Sequence, residues 1–274
     1  MNCTLSLSQL LSGTAVVLIS SASAATTFTY DFNSETAGDH FESDVVGWSQ
    51  DTPNPSAFGT TIPFAYIAST NFGGGATNSG HLGTQFANTV DNSSTTVTGA
   101  LDTSGAVSVP GRVTMNLGIV DNTADQFEGR DAFSFAVFDL ASAGLAQINF
   151  VPTVGDEDLW DVLVAVNGGS VTSTLANVVA LSGYKFQIDF QAAATVFSYG
   201  SSESGSADTV FANLAPVTPG GFGEVQVTHN PLAPAGTSAN TIVFDDISVV
   251  VIPEPSSLLL SLLASSLLLR RRRP

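Results

Sequence analysis

Between residues 26 and 251 the chain runs in short bursts of alternating apolar and polar residues, punctuated by Gly, Asn, Asp, Ser and Pro. A period of two places successive side chains on opposite faces of an extended strand, so each burst predicts a half-buried β-strand. Residues 26–32 set Phe28, Tyr30 and Phe32 on one side. Residues 113–120 oppose Val113, Met115, Leu117 and Ile119 to Thr114, Asn116 and Gly118. Residues 132–140 put Phe133, Phe135 and Val137 on one face, and 184–190 do the same with Tyr184, Phe186, Ile188 and Phe190. Further bursts at 147–151, 159–166, 171–179, 195–199, 224–228 and 241–251 complete the series. Asn167-Gly168-Gly169 predicts a tight hairpin between two of them, because these residues tolerate positive φ.

Helical signals are sparse. Residues 175–180 and 156–160 could each make one turn, and neither shows an amphipathic period. The stretch 33–110 is less regular, and its small polar clusters at 71–75, 78–81 and 91–98 are expected to be surface loops, as is 201–208. About ten to twelve short strands without strand–helix alternation predict an all-β fold, a two-sheet antiparallel sandwich. The first strand ends Tyr30-Asp31-Phe32 and the last reads Ile242-Val243-Phe244-Asp245-Asp246-Ile247-Ser248-Val249. These strands resemble the edges of jelly-roll domains, including carbohydrate-binding modules and concanavalin A/laminin-G-like sandwiches. In such modules a structural Ca²⁺ often sits near the first and last strands, so the resemblance implies Asp31, Glu35 and Asp246 as ligands. The alternative is that Asp245 or Asp246 caps a turn or bonds to backbone amides.

The two ends of the chain break the strand pattern. Residues 10–19 are mostly apolar and lead to Ala22-Ser23-Ala24, a small-residue cleavage pattern that predicts a signal segment over 1–24, although no Lys or Arg precedes it. At the other end, Pro253-Glu254-Pro255 can continue neither strand nor helix. An apolar run over 256–269 follows, and Arg270, Arg271, Arg272 and Arg273 stop it. This order of motif, hydrophobic helix and arginine cluster resembles the PEP-CTERM sorting signal of Gram-negative bacteria. The resemblance implies export through the inner membrane, cleavage by a membrane-bound exosortase, and delivery to the cell surface or extracellular matrix, with exopolysaccharide as a partner. The apolar run is fourteen residues long. A full crossing needs roughly 20, so transient membrane association is expected. The expected plan is thus a signal segment (1–24), a sandwich (25–250) and a sorting tail (251–274).

Composition narrows the chemistry. The chain has a formal charge of −17, and removing the ends leaves Arg112, Arg130 and Lys185 as the only basic residues of the body. So little positive charge excludes a nucleic-acid binder, which needs Lys and Arg against phosphates. The single cysteine, Cys3, lies in the expected signal segment, so the body has neither disulfide nor thiol chemistry. His40, His81 and His229 lack zinc spacing, Gly73-Gly74-Gly75 lacks the Lys-Ser/Thr of a phosphate loop, and no Gly-x-Ser-x-Gly elbow occurs.

The acids Asp156, Glu157, Asp158 and Asp161 crowd into six residues, which suits a solvated turn or a weak cation site. They lack the alternating strand setting of the catalytic acids in laminin-like glycosidases. A non-enzymatic structural or adhesive protein is therefore expected, with a carbohydrate-binding module or polysaccharide-active enzyme as the alternative. Sugar platforms use exposed aromatic rings, and Trp48, Tyr66, Trp160 and Tyr199 are the candidates, with Trp48 in the most polar setting.

Overall fold

The alternation in the sequence becomes two antiparallel sheets packed face to face. The structure, a computed structural model, describes residues 26–51, 65–69, 78–83, 94–101, 111–121, 129–156, 158–169, 172–232 and 240–251. The expected signal segment, the Gly73–Gly75 run, Glu157 and the tail over 253–273 lie outside the described residues.

In chain order the strands are β1 (Thr26–Tyr30), β2 (Trp48–Gln50), β3 (Ala65–Ala68), β4 (Ser79–Gly83) and β5 (Thr95–Ala100). Then come β6 (Gly111–Asp121), β7 (Ala132–Phe138), β8 (Gly144–Pro152), β9 (Leu159–Val166) and β10 (Thr172–Val179). The last are β11 (Gly183–Phe190), β12 (Thr195–Gly200), β13 (Thr209–Leu214), β14 (Glu224–Asn230) and β15 (Asn240–Val251). An eight-stranded sheet runs β13-β12-β11-β6-β15-β4-β3, with β1 also paired to β15. A seven-stranded sheet runs β10-β9-β8-β7-β14-β5-β2. The all-β two-sheet sandwich expected from the pattern is the observed fold.

The inner residues of the alternating bursts form the core. Phe133, Phe135, Ile148, Phe150, Val162 and Val227 of one sheet meet Val113, Met115, Leu117, Phe186, Ile188 and Phe244 of the other, all buried. Burying each such side chain contributes about 1.5–3 kcal/mol, enough for a body of this size to stand without staples.

Several strands replace expected loops or turns. Residues 79–81 belong to β4 and 95–98 to β5, whose Gly80 and Gly99 let aromatic rings lie on the strand. A Cβ on Gly80 would come within 2.5 Å of the Phe244 ring, and one on Gly99 within 2.7 Å of Trp48. Residues 175–180, a possible helical turn by pattern, belong instead to β10 and the turn after it, held by pairing to β9. Of the other possible helical turn, Leu159 and Trp160 belong instead to β9, and Asp156 follows a tight turn at Val154–Gly155. The hairpin at Asn167-Gly168 is present between β9 and β10, with φ of 51° and 65° at the two residues.

β15 changes partner along its length. Residues 241–244 pair with β4, residues 247–251 pair with β1, and β6 runs beside both halves. The change falls at a register shift between Asp245 and Ser248, where Asp246 takes φ of 49°. This β-bulge sends Asp245 to the face of Asn116 and returns Ile247 to the core, whereas an unbroken alternation would place both on one face.

Candidate functional site

Each sheet turns one face outward, and the two outward faces differ in chemistry. On the eight-stranded sheet, the register sets Lys185 of β11 beside Asn116 of β6 and Asn116 beside Asp245 of β15. Asp245 is only 5 % exposed and Asn116 only 4 %. Asn116 Nδ2 donates to Asp246 Oδ2 at 2.8 Å, and the Asp246 amide donates to Asp245 Oδ1 at 2.8 Å. Asn116 Oδ1 is buried and accepts no hydrogen bond from the described residues.

Burial pushes the Asp245 carboxyl up to about 8, the Asp246 amide offsets part of this, and the charges of Asp246, Asp31 and Glu203 add to the rise. At neutral pH Asp245 is therefore mostly protonated. Its O–H is the kind of donor that the neighbouring Asn116 carbonyl lacks. Further along the same face, Arg112 Nε meets Asp189 Oδ1 at 2.6 Å, and Gln187 Nε2 donates to Asp189 Oδ2 at 2.8 Å.

The acids that the jelly-roll resemblance implies as calcium ligands fall around this bulge without converging. Asp31 Oδ1 accepts from the Asn33 amide at 3.2 Å, and Glu35 Oε1 accepts the Tyr30 hydroxyl at 2.9 Å. Burial, then Glu35, raises the Tyr30 hydroxyl above the ordinary phenol range. Asp246 is engaged by Asn116. Among the described residues no three His, Cys, Asp or Glu side chains come together as a metal-holding group. The bulge turns Asp246 toward Asn116, while local hydrogen bonds engage Asp31 and Glu35. Asp156, Asp158 and Asp161 also separate, with Asp161 accepting from Thr153 Oγ1 at 2.9 Å and Asp156 and Asp158 exposed.

Trp160, Trp48 and Tyr199 face inward, whereas Tyr66, between the buried Ala65 and Ile67 on β3, faces outward. Trp160 is fully buried and donates its indole N–H to the Asp131 carbonyl at 3.0 Å, so it offers no ring face to a sugar. Trp48 is half-buried, with its ring against Tyr30, Phe32, Phe41 and Phe244 at centroid distances of 5.3–5.7 Å. Tyr66 lies against His81, and Tyr199 against Phe186 and Phe211. In a sandwich the inward period-two aromatics Trp160, Trp48 and Tyr199 point between the sheets, where burial is worth most. The histidines are dispersed as well. His81 Nε2 lies 3.1 Å from Ser79 Oγ, while His229 and Asp131 share a buried hydrogen bond at 2.8 Å.

The outward face of the seven-stranded sheet has little charge. Its strands contain only Asp161, Glu224 and the buried His229 as titratable residues. Cross-strand register builds two polar rows over its middle. One is Asn149–Ser134–Thr228–Thr96, across β8, β7, β14 and β5. The other is Gln147–Ala136–Gln226–Thr98–Ser49, reaching β2. Gln147 Nε2 donates to Asn149 Oδ1 at 2.7 Å, Gln226 Nε2 donates to Glu224 Oε1 at 2.9 Å, and the Thr96 and Thr228 hydroxyls lie 3.1 Å apart. These residues alternate with the core positions of their strands, so the sequence places them outside. Which of them are neighbours follows only from the register.

No protein-family model and no curated protein matches the chain. Among solved structures it resembles the CBM2 module of an evolved Dit protein from Lactobacillus casei BL23 phage J-1, with TM-score 0.50 and 12 % identity over 83 % of this chain and 96 % of that one. Lower likenesses include basic winged bean lectin with Tn-antigen, at TM-score 0.44 and 11 % identity over 83 % and 98 % of the chains. A Bacillus licheniformis β-glucanase stands at TM-score 0.44 and 10 % identity over 81 % and 97 %. The shared feature is the fold, a two-sheet antiparallel sandwich like that of the phage module.

Proposed function

We propose that this is an exported bacterial surface or matrix protein, sorted and cleaved by an exosortase, whose sandwich binds carbohydrate without transforming it. The observation that carries the route is the order Pro253-Glu254-Pro255, apolar run, Arg270–Arg273, which suits a membrane-held substrate with its arginines on the cytoplasmic side. The sandwich shared with the phage carbohydrate-binding module, and a body with scarcely any positive charge, support glycan as the partner.

The non-catalytic reading rests on the acids. Glycoside hydrolysis needs a protonated acid and a carboxylate flanking the scissile bond. Asp245 has the elevated carboxyl, yet it is too enclosed to reach a glycosidic oxygen. The experiment follows the full-length protein, and a form lacking residues 253–273, through cell fractionation and exopolysaccharide extraction. Full-length protein is expected at the surface or in the matrix, bound to polysaccharide and shortened at its tail. Retention of both forms in the cytoplasm, or identical fates for both, would overturn the proposal.

A further inference from the structure

We infer that the outward face of the seven-stranded sheet is the carbohydrate site and that its ligand is a neutral polysaccharide laid across the strands, a reading that rests on the carbohydrate-binding proposal. In the two rows Asn149–Ser134–Thr228–Thr96 and Gln147–Ala136–Gln226–Thr98–Ser49, Ser134 and Asn149 Nδ2 are buried, and Gln147, Gln226, Thr96, Thr98, Thr228 and Ser49 supply the accessible amides and hydroxyls. These groups both donate and accept hydrogen bonds, as sugar hydroxyls do. Strands lie about 4.8 Å apart, so the longer row spans roughly 20 Å, while the two rows stand roughly 7 Å from one another. That is an elongated, shallow strip, shaped for a chain rather than for a single small molecule.

Charge selects among polymers. A formal charge of −17 repels uronate-bearing glycans and nucleic acids, and the rows contain no Lys or Arg to hold them. A polycation would seek carboxylates, and the rows have none; Glu224 and Asp161 stand one row beyond them. An apolar partner is disfavoured too, because none of the exposed large apolar residues, such as Val46, Val154 or Leu232, lies in the rows. Within the face, Gln147 and Asn149 already bond to each other, and so do Thr96 and Thr228, which holds their groups in place before a ligand arrives.

The test uses the purified full-length chain in native gels containing a neutral β-glucan, a galactomannan or the anionic polymer alginate. Three proteins are compared: wild type, the double variant Gln147→Ala/Gln226→Ala, and Gln187→Ala on the opposite sheet, each checked for fold by circular dichroism and melting. A neutral polymer is expected to retard wild type and Gln187→Ala alike. The double variant should lose about tenfold or more in affinity, as removal of two polar partners implies. Equal retardation of wild type and double variant would overturn the site and leave carbohydrate binding standing. Retardation by alginate as strong as by either neutral polymer would overturn the neutral class. No retardation by any polymer would overturn both this inference and the carbohydrate reading beneath it.

Discussion

The two outward faces of this sandwich are built from the same alternation and put it to opposite uses. The eight-stranded sheet gathers Arg112, Lys185, Asp189, Asp245 and Asp246 onto its strands, and it encloses two of its polar side chains, Asn116 and Asp245, almost completely. The seven-stranded sheet buries Ser134 but keeps most of its amides and hydroxyls, among them Gln147, Gln226, Thr96, Thr98 and Thr228, half-exposed and nearly free of charge. Buried polar groups need defined partners and make a face rigid and demanding. Half-exposed neutral groups exchange water for another hydroxyl at little cost, which is what the proposed attachment to a glycan would require. The faces therefore teach that polarity alone does not mark a binding surface; its accessibility does.

The largest expected effect belongs to Asp131, whose backbone bonds both sheets and whose buried carboxylate holds the seven-stranded one. The Asp131 carboxylate bonds His229 of β14 and the Leu232 amide, its backbone N–H donates to Asn240 of β15, and its carbonyl holds Trp160 of β9. Asp131→Ala is expected to lose about 3–5 kcal/mol, measured by urea denaturation, with both sheets melting in one transition. The backbone bonds to Asn240 and Trp160 survive this substitution, so a loss below about 1 kcal/mol would show that the carboxylate itself contributes little.

The next effect belongs to the enclosed face. The Asp245 carboxyl stands at about 8 in the fold and near 3.9 when the chain is unfolded. The folded state therefore prefers the proton. The stability this provides is complete below the unfolded value and is lost as pH rises through about 8. Asp245→Asn keeps an acceptor for the Asp246 amide and a donor toward Asn116. Its melting temperature should match that of wild type near pH 4 and exceed it by several degrees at pH 8. A gap that does not widen with pH would contradict the elevated carboxyl.

Smaller effects sharpen the contrast. Arg112 is 44 % exposed in its ion pair with Asp189, so Arg112→Ala should cost less than about 1 kcal/mol, and added salt should shrink the difference. On the neutral face, Thr98→Ala should change stability by less than about 0.5 kcal/mol in the same denaturation assay. A larger loss there would mean that the neutral face is structural in the way the charged one is.

Much of this was legible in the chain. Phe133, Phe135, Phe186, Ile188 and Phe190 announce their inward positions by strict alternation, and the sandwich follows from enough such bursts. β4 and β5 were not legible, because Gly80 and Gly99 become core positions only when Phe244 and Trp48, distant in sequence, lie over them. The Asp245-Asp246 pair was half legible. Adjacent strand residues face opposite sides, so one carboxylate had to be enclosed, but the bulge that decides which one is a matter of register with β6. Trp48 and Trp160 misled in the same way: polar neighbours along the chain do not reveal that a ring is covered across the sheet. The neutral rows were written in the sequence residue by residue, and only strand order made them rows.

The exchange of partners along β15 has a mechanical meaning. Thr26 pairs with Val251, so the first and last described strands begin and end side by side, and force applied between those two points would peel their ladder one rung at a time. A molecule held by the segment after Val251, while its other sheet grips a polymer, is pulled differently. Tension then enters along β15, whose register with β6 runs from Asn240 to Val251, and the ladder resists in shear, with its rungs strained together. The strand that leads toward the tail is the one stitched lengthwise into the middle of its sheet, as suits a tether.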